Sequence, residues 1–224
     1  MTSPLRAVAA EAFGTAALLV AVVGSGIMAA ALSPQSEAIA LLANALATGF
    51  ALYVLITILA PVSGAHLNPV VSVTAWLRRD IRAPTAVFYI ASQCAGGLAG
   101  VLVAHLMFDL APLQVGMKNR TGTGQWLGEF VATGGLMMVI AGVRRHAPHQ
   151  SAVAIASYIA AAYWFTASTS FANPAVTLSR AMTATFAGIS PADAPAFVLA
   201  QFAGAAAAWP LARWLFDAER TPGR

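Results

Sequence analysis

Two Asn-Pro steps, each followed by an apolar run too short to cross a bilayer, constrain this sequence most. The steps begin at Asn68 and Asn173, and each run is about ten residues, or roughly 15 Å of helix. Asn is a preferred helix N-cap and Pro is preferred at the first helical position, so each step predicts the start of a short helix. Two such half-helices placed end to end span roughly 30 Å, one hydrocarbon thickness. We therefore expect them to enter the membrane from opposite faces and to meet, Asn to Asn, at its middle.

The composition is that of a polytopic membrane protein. Hydrophobic residues make up 59% of the chain and charged residues 9%, with a mean hydropathy of +0.74, which excludes an ordinary soluble domain. The single cysteine, Cys94, cannot form an internal disulfide, and no Cys/His cluster has metal-ligand spacing, so we expect no cofactor and no metal. The net charge of +4 does not indicate a nucleic-acid partner, because the cations lie in loops and tails.

Six longer apolar segments are each long enough to cross a bilayer, the fifth only just. Together with the half-helices they predict an all-α membrane protein with six transmembrane helices and two re-entrant half-helices. The segments lie at 5–31, 37–61, 83–107, 125–143, 151–168 and 195–216. The order of span, span, half-helix and span therefore occurs twice along the chain. Since further spans follow the first one, we do not interpret it as a secretory signal peptide.

Individual residues repeat in the same order. Glu11 opens the first span and Glu129 opens the fourth, while Gln93 and Gln201 precede stretches of small residues in the third and sixth. We assign the two glutamines and these stretches to helix packing. Each half has an odd number of spans, so the second half must be inverted in the membrane. Inverted repeats with discontinuous helices are typical of transport proteins with a site near the midplane.

The predicted organisation is one domain, 1–224, made of two repeats. The first inverted repeat covers 1–107, an external linker loop covers 108–124, and the second repeat covers 125–224. The distribution of Lys and Arg supports cytoplasmic N- and C-termini, because nine cations then lie inside and three outside. The inside set is Arg6, Arg78, Arg79, Arg82, Arg144, Arg145, Arg213, Arg220 and Arg224, and the outside set is Lys118, Arg120 and Arg180.

These features resemble the aquaporin, or major intrinsic protein, family almost end to end. The two Asn-Pro boxes, the two Glu-bearing span starts and the Ser-Gly-Ala-His before the first box carry the resemblance. It implies six tilted helices and two half-helices around a narrow pore, a homotetramer with one pore per subunit, and passive passage of water or small neutral solutes across a bacterial-type inner (plasma) membrane. The implied box residues are Asn68, Pro69, Val70, Asn173, Pro174 and Ala175. Val70 replaces the usual alanine and is expected to cap and pack in its place.

The centre of such a pore has a simple electrostatic basis. Two facing helix N-termini concentrate partial positive charge, so the potential there is positive and repels a cation. Asn68 and Asn173 can offer amide N–H donors to a passing solute oxygen. The alternative is that both asparagines serve only as helix caps, which leaves their symmetric pairing unexplained.

The family's second constriction is an outer filter of four residues that normally includes an arginine. Ungapped offsets from the boxes place it at Thr48, Ala161, Ser170 and Val176, so valine stands in place of the arginine. Four small or medium side chains predict a wide, weakly polar aperture that passes glycerol-like solutes as well as water. The valine resembles bacterial aquaporins associated with arsenic-resistance operons, which implies uncharged or methylated arsenic solutes. A general aquaglyceroporin and a leaky water channel are the alternatives.

Four ionisable residues lie inside or near the predicted pore. Arg180 lies one turn beyond Val176, where it either lines an outer vestibule or snorkels at the surface, and we favour the surface role. Glu11 and Glu129 either couple protons or hold the re-entrant loops, and we favour the loops because non-helical backbone at membrane depth must find partners. His66 is expected to support the first loop, and pH gating is the alternative.

Four functions remain to be compared. A passive channel leads, because amide side chains and backbone dipoles occupy the predicted midplane. A water-selective aquaporin and an ion-coupled secondary transporter are rivals, and a closed junction protein is a third. The sequence contains no nucleophile beside a base and no phosphate-binding loop, so we expect no enzyme activity.

Overall fold

In a computed structural model, which describes residues 3–216, the chain is helical and that range contains no strand. Its α-helices are α1 Pro4–Leu32, α2 Glu37–Ser63, α3 Pro69–Leu77, α4 Ala83–Met107, α5 Thr123–His146, α6 Ser151–Phe165, α7 Pro174–Arg180 and α8 Ala194–Phe216. A short 3-10 turn, Pro148–Gln150, leads into α6. The all-α class is confirmed.

Five helices within this range, α1, α2, α4, α5 and α8, are long and apolar enough to cross a membrane. The remaining predicted span, 151–168, is shorter than expected, because α6 has 15 residues. The chain leaves the helix at Thr166, whose backbone is extended (φ −115°, ψ 138°) and whose hydroxyl donates to the Ala162 carbonyl. The 3-10 turn that precedes α6 extends the helical segment at its N-terminal end.

The half-helices α3 and α7 begin where the Asn-Pro steps predict. The Asn68 side-chain oxygen accepts from the Val70 amide at 2.9 Å, and that of Asn173 accepts from the Ala175 and Val176 amides at 3.0 and 3.3 Å. The first half-helix ends at Leu77, as expected. The second ends at Arg180, two residues early, and a turn follows it.

The helices of each half of the chain pack mainly against one another. Helix α1 packs against α2 and α4, α5 packs against α6 and α8, and α2 contacts α6 across the middle. Glycine allows the closest approaches: a Cβ at Gly100 would collide with the Ala16 carbonyl oxygen, and one at Gly204 with that of Phe130. Small residues permit such backbone contact between membrane helices.

The segment between α4 and α5 lies over the chain that follows α7. The Gly116 amide donates to the Ala181 carbonyl, and the Ser190 amide donates to the Lys118 carbonyl, both at 2.8 Å. The Arg120 amide donates to Asp193 Oδ2 at 2.7 Å. These hydrogen bonds hold the linker loop beside the C-terminal end of the second half-helix, α7.

We predict that Gly100→Ala lowers the stability of the folded protein by about 1–3 kcal/mol, because the added methyl group pushes α1 away from α4. The measurement is the temperature at which the detergent-solubilised protein loses its monodisperse peak in size-exclusion chromatography. Gly124→Ala is the matched control, since nothing lies within 4 Å of its Cβ position. Equal melting temperatures for the two variants would contradict the close-packing argument.

Candidate pore and outer filter

A cavity of about 440 Å³ lies between the long helices and both half-helices. On α2 and α6 its lining residues recur at every fourth position, as one face of a 3.6-residue helix requires. They are Thr48, Leu52, Ile56 and Ala60 on α2, and Ser151, Ile155, Ile159 and Tyr163 on α6. Most of these side chains are apolar, so the walls offer a passing solute few hydrogen bonds.

The two asparagines of the boxes both line this cavity, and each binds the loop of the other. Asn68 Nδ2 donates to the Ala172 carbonyl at 2.8 Å, and Asn173 Nδ2 donates to the Leu67 carbonyl at 2.7 Å. Each asparagine therefore caps its own half-helix and binds the loop that leads into the other one. Both line the cavity and are at most 6% exposed. An amide has two N–H donors, so one on each asparagine is left for a solute.

The other box residues lie behind the residues that line the cavity. Pro69, Val70, Pro174 and Ala175 are buried and do not line the cavity. The Val70 side chain packs in a small apolar cluster with Met137 and Ala208. This cluster accommodates the two methyl groups by which valine is larger than alanine. These residues start and anchor the half-helices.

The loops that lead into both boxes share a strained backbone. Ala65 and Leu67 have φ values of 48° and 49°, and Ser170 and Ala172 have 49° and 48°. Left-handed conformations cost non-glycine residues about 1–3 kcal/mol each and persist only where the surroundings hold them. Each loop therefore needs strong partners.

Two fully buried carboxylates are those partners. Glu11 accepts the amide N–H of His66 at 2.9 Å and that of Leu67 at 2.6 Å. Glu129 accepts the amide N–H of Phe171 at 2.8 Å and that of Ala172 at 2.9 Å. The sequence left two roles open for Glu11 and Glu129, loop support and proton coupling. Their hydrogen bonds to the loop amides favour loop support.

The two glutamines have a role that the packing interpretation missed. Gln93 Nε2 donates to Glu11 at 2.7 Å and to Ser72 Oγ at 3.0 Å. Gln201 Nε2 donates to Glu129 at 2.6 Å and to the Thr177 hydroxyl at 2.8 Å. Each glutamine links the carboxylate to the half-helix it supports. The sequence did contain a signal for this role. The two glutamines lie at matching positions of the two repeats, as do the two glutamates.

His66 supports the first loop through its backbone and its ring. Its amide binds Glu11, its Nδ1 lies 3.1 Å from Ser72 Oγ, and its ring meets that of Tyr89 edge to face at 5.3 Å. It also lines the cavity.

Three of the four predicted filter positions line the cavity, but Ala161 does not. Thr48, Ser170 and Val176 are buried and face the cavity, whereas Ala161 is exposed on the other side of α6. Tyr163 stands in its place, with its hydroxyl 3.3 Å from Thr48 Oγ1. Two residues rotate about 200° around a helix, so an offset error of two turns the side chain away from the pore. The cavity beside Thr48 is therefore lined by an aromatic ring that the four predicted positions do not include.

Arg180 also differs from the favoured expectation. It is 2% exposed, lines the cavity, and lies with its guanidinium carbon 3.4 Å from the centre of the Phe171 ring. The snorkelling role is therefore wrong, because a surface arginine would keep its head in water. The cause is the fold of the chain after α7, which encloses the side chain and accepts a hydrogen bond from Arg180 Nε at the Ala187 carbonyl.

A second arginine, Arg120 of the linker loop, also approaches the Phe171 ring. Its Nε donates to the Gly188 carbonyl at 3.0 Å, and its Nη1 donates to the Ser168 carbonyl at 3.2 Å. Its guanidinium carbon lies 5.0 Å from the centre of the Phe171 ring. Burial lowers the pKa of Arg120 from its ordinary value, and nearby Glu129 opposes that shift. The sequence predicted only an external loop cation here.

At the opposite end of the cavity an ion pair joins two elements. Arg144 Nη2 of α5 lies 3.0 Å from Asp80 Oδ2, in the turn after α3, and both residues line the cavity. The side chains are 50% and 31% exposed, so the pair is solvated and contributes little to stability.

Comparison with known proteins agrees with this geometry. A model of the major intrinsic protein family matches residues 1–152, more than half of the chain. The chain belongs to the major intrinsic protein family. It is therefore a multi-pass membrane protein that acts as a passive channel for small neutral solutes, and it is not an enzyme.

Individual relatives extend the family match. Aquaglyceroporin AqpS of Rhizobium meliloti (strain 1021) is 53% identical over 218 residues, which cover 96% of this chain and 92% of that protein. Human aquaporin-5 is 34% identical over 128 residues, covering 54% of this chain and 45% of that protein. The X-ray structure of the aquaglyceroporin from Plasmodium falciparum superposes with a TM-score of 0.75 at 19% identity, over 96% of this chain and 97% of that one. At that identity the structural likeness supports the fold alone.

We predict that Tyr163→Ala raises glycerol permeability more than water permeability, because it removes the largest side chain of the filter. Stopped-flow light scattering of proteoliposomes measures both rates. Ala161→Leu is the matched control, since its side chain points out of the pore and both rates should stay within about twofold of the original. A change in the glycerol-to-water ratio for the control alone would restore the original filter assignment.

We predict that Glu129→Ala weakens the second loop by about 3 kcal/mol or more, because it leaves two buried loop amides and the Gln201 side chain without an acceptor. Permeability to every solute should fall together, as measured in the same proteoliposome assay with equal protein content. Glu37→Ala, on the exposed first turn of α2, is the control that should leave flux unchanged. Normal flux through the Glu129 variant would exclude loop support.

Proposed function

We propose that this channel conducts glycerol-like solutes as well as water, through an outer filter of Thr48, Tyr163, Ser170 and Val176. The supporting observation is that Val176, at the position of the family's filter arginine, lines the cavity and is 5% exposed. An arginine there would add a long cationic side chain with a rigid fork of donors. Valine leaves that volume to the solute and removes the donors from the narrowest ring.

The middle of the pore supplies selectivity that does not depend on the filter. The N-termini of α3 and α7 face the cavity through Asn68 and Asn173, so partial positive charge is concentrated there. A neutral solute oxygen accepts from the free amide N–H groups, while a cation is repelled. With no coupling ion required, the direction of net flow follows the solute gradient.

The lack of a filter arginine also extends the range of neutral solutes that we propose. Urea-like molecules and uncharged arsenic acids, including methylated pentavalent ones, are similar in size to glycerol, and nothing at position 176 rejects them. Family resemblance motivates the arsenic part of this proposal. A second candidate function, a water-selective channel, is favoured by one observation, the aromatic ring of Tyr163 at the filter.

The proposed organisation follows from the matched support of the two loops. Repeats 1–107 and 125–224, joined by the external linker 108–124, each contribute a glutamate, a glutamine and a half-helix. We propose cytoplasmic termini in a bacterial inner (plasma) membrane and a homotetramer with one pore per subunit. Arg220 and Arg224, which contribute to the charge count for this orientation, lie outside the described residues.

We predict that Val176→Arg lowers glycerol permeability about tenfold or more while water permeability falls less, because the guanidinium narrows the ring to the size of water. The assay is stopped-flow light scattering with imposed glycerol and sucrose gradients. Val176→Leu is the control for added bulk without charge and should have a smaller effect. Unchanged glycerol flux in the arginine variant would show that position 176 does not limit passage and would overturn the proposed filter.

A further inference from the structure

The side chain of Arg180 carries donors that the protein itself leaves unused. Its Nε donates to the Ala187 carbonyl, but its Nη1 is buried and has no hydrogen-bond partner among the described residues. Buried polar groups are normally satisfied, because an unpaired donor costs about 1–3 kcal/mol, and more if charged. Arg180 lines the cavity, so a molecule in the cavity is the acceptor available to its guanidinium.

The guanidinium is held rather than free to swing away. One face packs on the Phe171 ring, whose other neighbours are Phe197, at 5.2 Å between ring centres, and Arg120. Arg120 binds the carbonyls of Gly188 and Ser168, so it competes for local acceptors instead of offering one. A preorganised donor loses little entropy when a ligand arrives, which makes it an effective recognition group.

The position of the group places it on the solute's path. Along α7, Arg180 lies one turn beyond Val176, a rise of about 6 Å. Both residues line the cavity on the same helix face. A solute at Val176 is therefore adjacent to the Arg180 donors.

We propose that Arg180 is a specificity-determining residue of this channel, forming an outer binding site for neutral solutes that carry a strongly polarised oxo or carbonyl oxygen. The inference rests on the proposed function, since it requires that such solutes enter the filter. A charged donor forms stronger hydrogen bonds with strong acceptors than with weak ones. Arg180 therefore favours amides and uncharged oxo-acids over solutes of similar size with poor acceptors.

The test compares two solutes of similar shape, urea and thiourea, whose acceptor atoms are a carbonyl oxygen and a weaker thione sulfur. Arg180→Met keeps an unbranched, buried side chain but removes the donors. We expect the urea-to-thiourea permeability ratio of this variant to be about fivefold lower than in the original protein, since it loses a charge-assisted hydrogen bond to urea alone. Water permeability of the same proteoliposomes reports whether the pore has folded.

Arg180→Lys is the second variant and keeps the positive charge. A single ammonium cannot hold the Ala187 carbonyl and also present a fixed fork of donors, so its ratio should fall by about twofold. Arg120→Met is the matched control: it removes a buried arginine from the same ring but does not line the cavity, so it should slow both solutes without changing their ratio.

Three results would overturn the inference, and they are distinguishable. If the Arg180 variants that conduct water keep the original ratio, Arg180 has only a structural role and the proposed function stands. The inference is equally overturned if Arg120→Met lowers the ratio as much as Arg180→Met does. If the original protein passes neither urea nor glycerol faster than empty liposomes, the proposed function fails and the inference fails with it.

Discussion

The structure depends on the hydrogen bonds that two buried carboxylates make to irregular backbone inside the membrane. Loop amides at that depth have no water to bind, and each unsatisfied one costs several kcal/mol in hydrocarbon. Glu11 and Glu129 each accept two consecutive amides from a loop with left-handed residues. A short polar side chain on a transmembrane helix thus allows a non-helical segment to reach the centre of the bundle.

The pore follows from that support. Once each loop is held, its asparagine caps the half-helix and donates across to the other loop, so the two halves fix one another's position. Gln93 and Gln201 extend the support from the carboxylate to a hydroxyl on each half-helix. The result is a site in which the amide groups of Asn68 and Asn173, and the half-helix N-termini that they cap, face the cavity.

Much of this could be predicted from sequence, because N-caps, apolar length and repeated glutamates are local or periodic signals. The half-helix starts and the class of fold rest on such signals, and the structure confirms both. The filter position on α6 does not, because it depends on how the helix is rotated about its own axis, which no local signal reports. The face that lines the cavity contains Ile155, Ile159 and Tyr163, and Ala161 lies on the opposite, exposed face.

Arg180 was misjudged for a related reason. Its burial depends on segment 181–193 and on the linker that covers it, and neither has a periodic pattern that reports tertiary contact. Its placement has a physical consequence for the whole channel. Steric exclusion acts only where atoms touch, whereas the potential of a charge falls gradually with distance. In the proposed filter, a cation about 6 Å from Val176 along α7 would keep much of its influence on passing dipoles without reducing the aperture at Val176. A filter arginine combines size selection and charge selection in one residue, whereas in the proposed filter Val176 would select by size and Arg180 by charge.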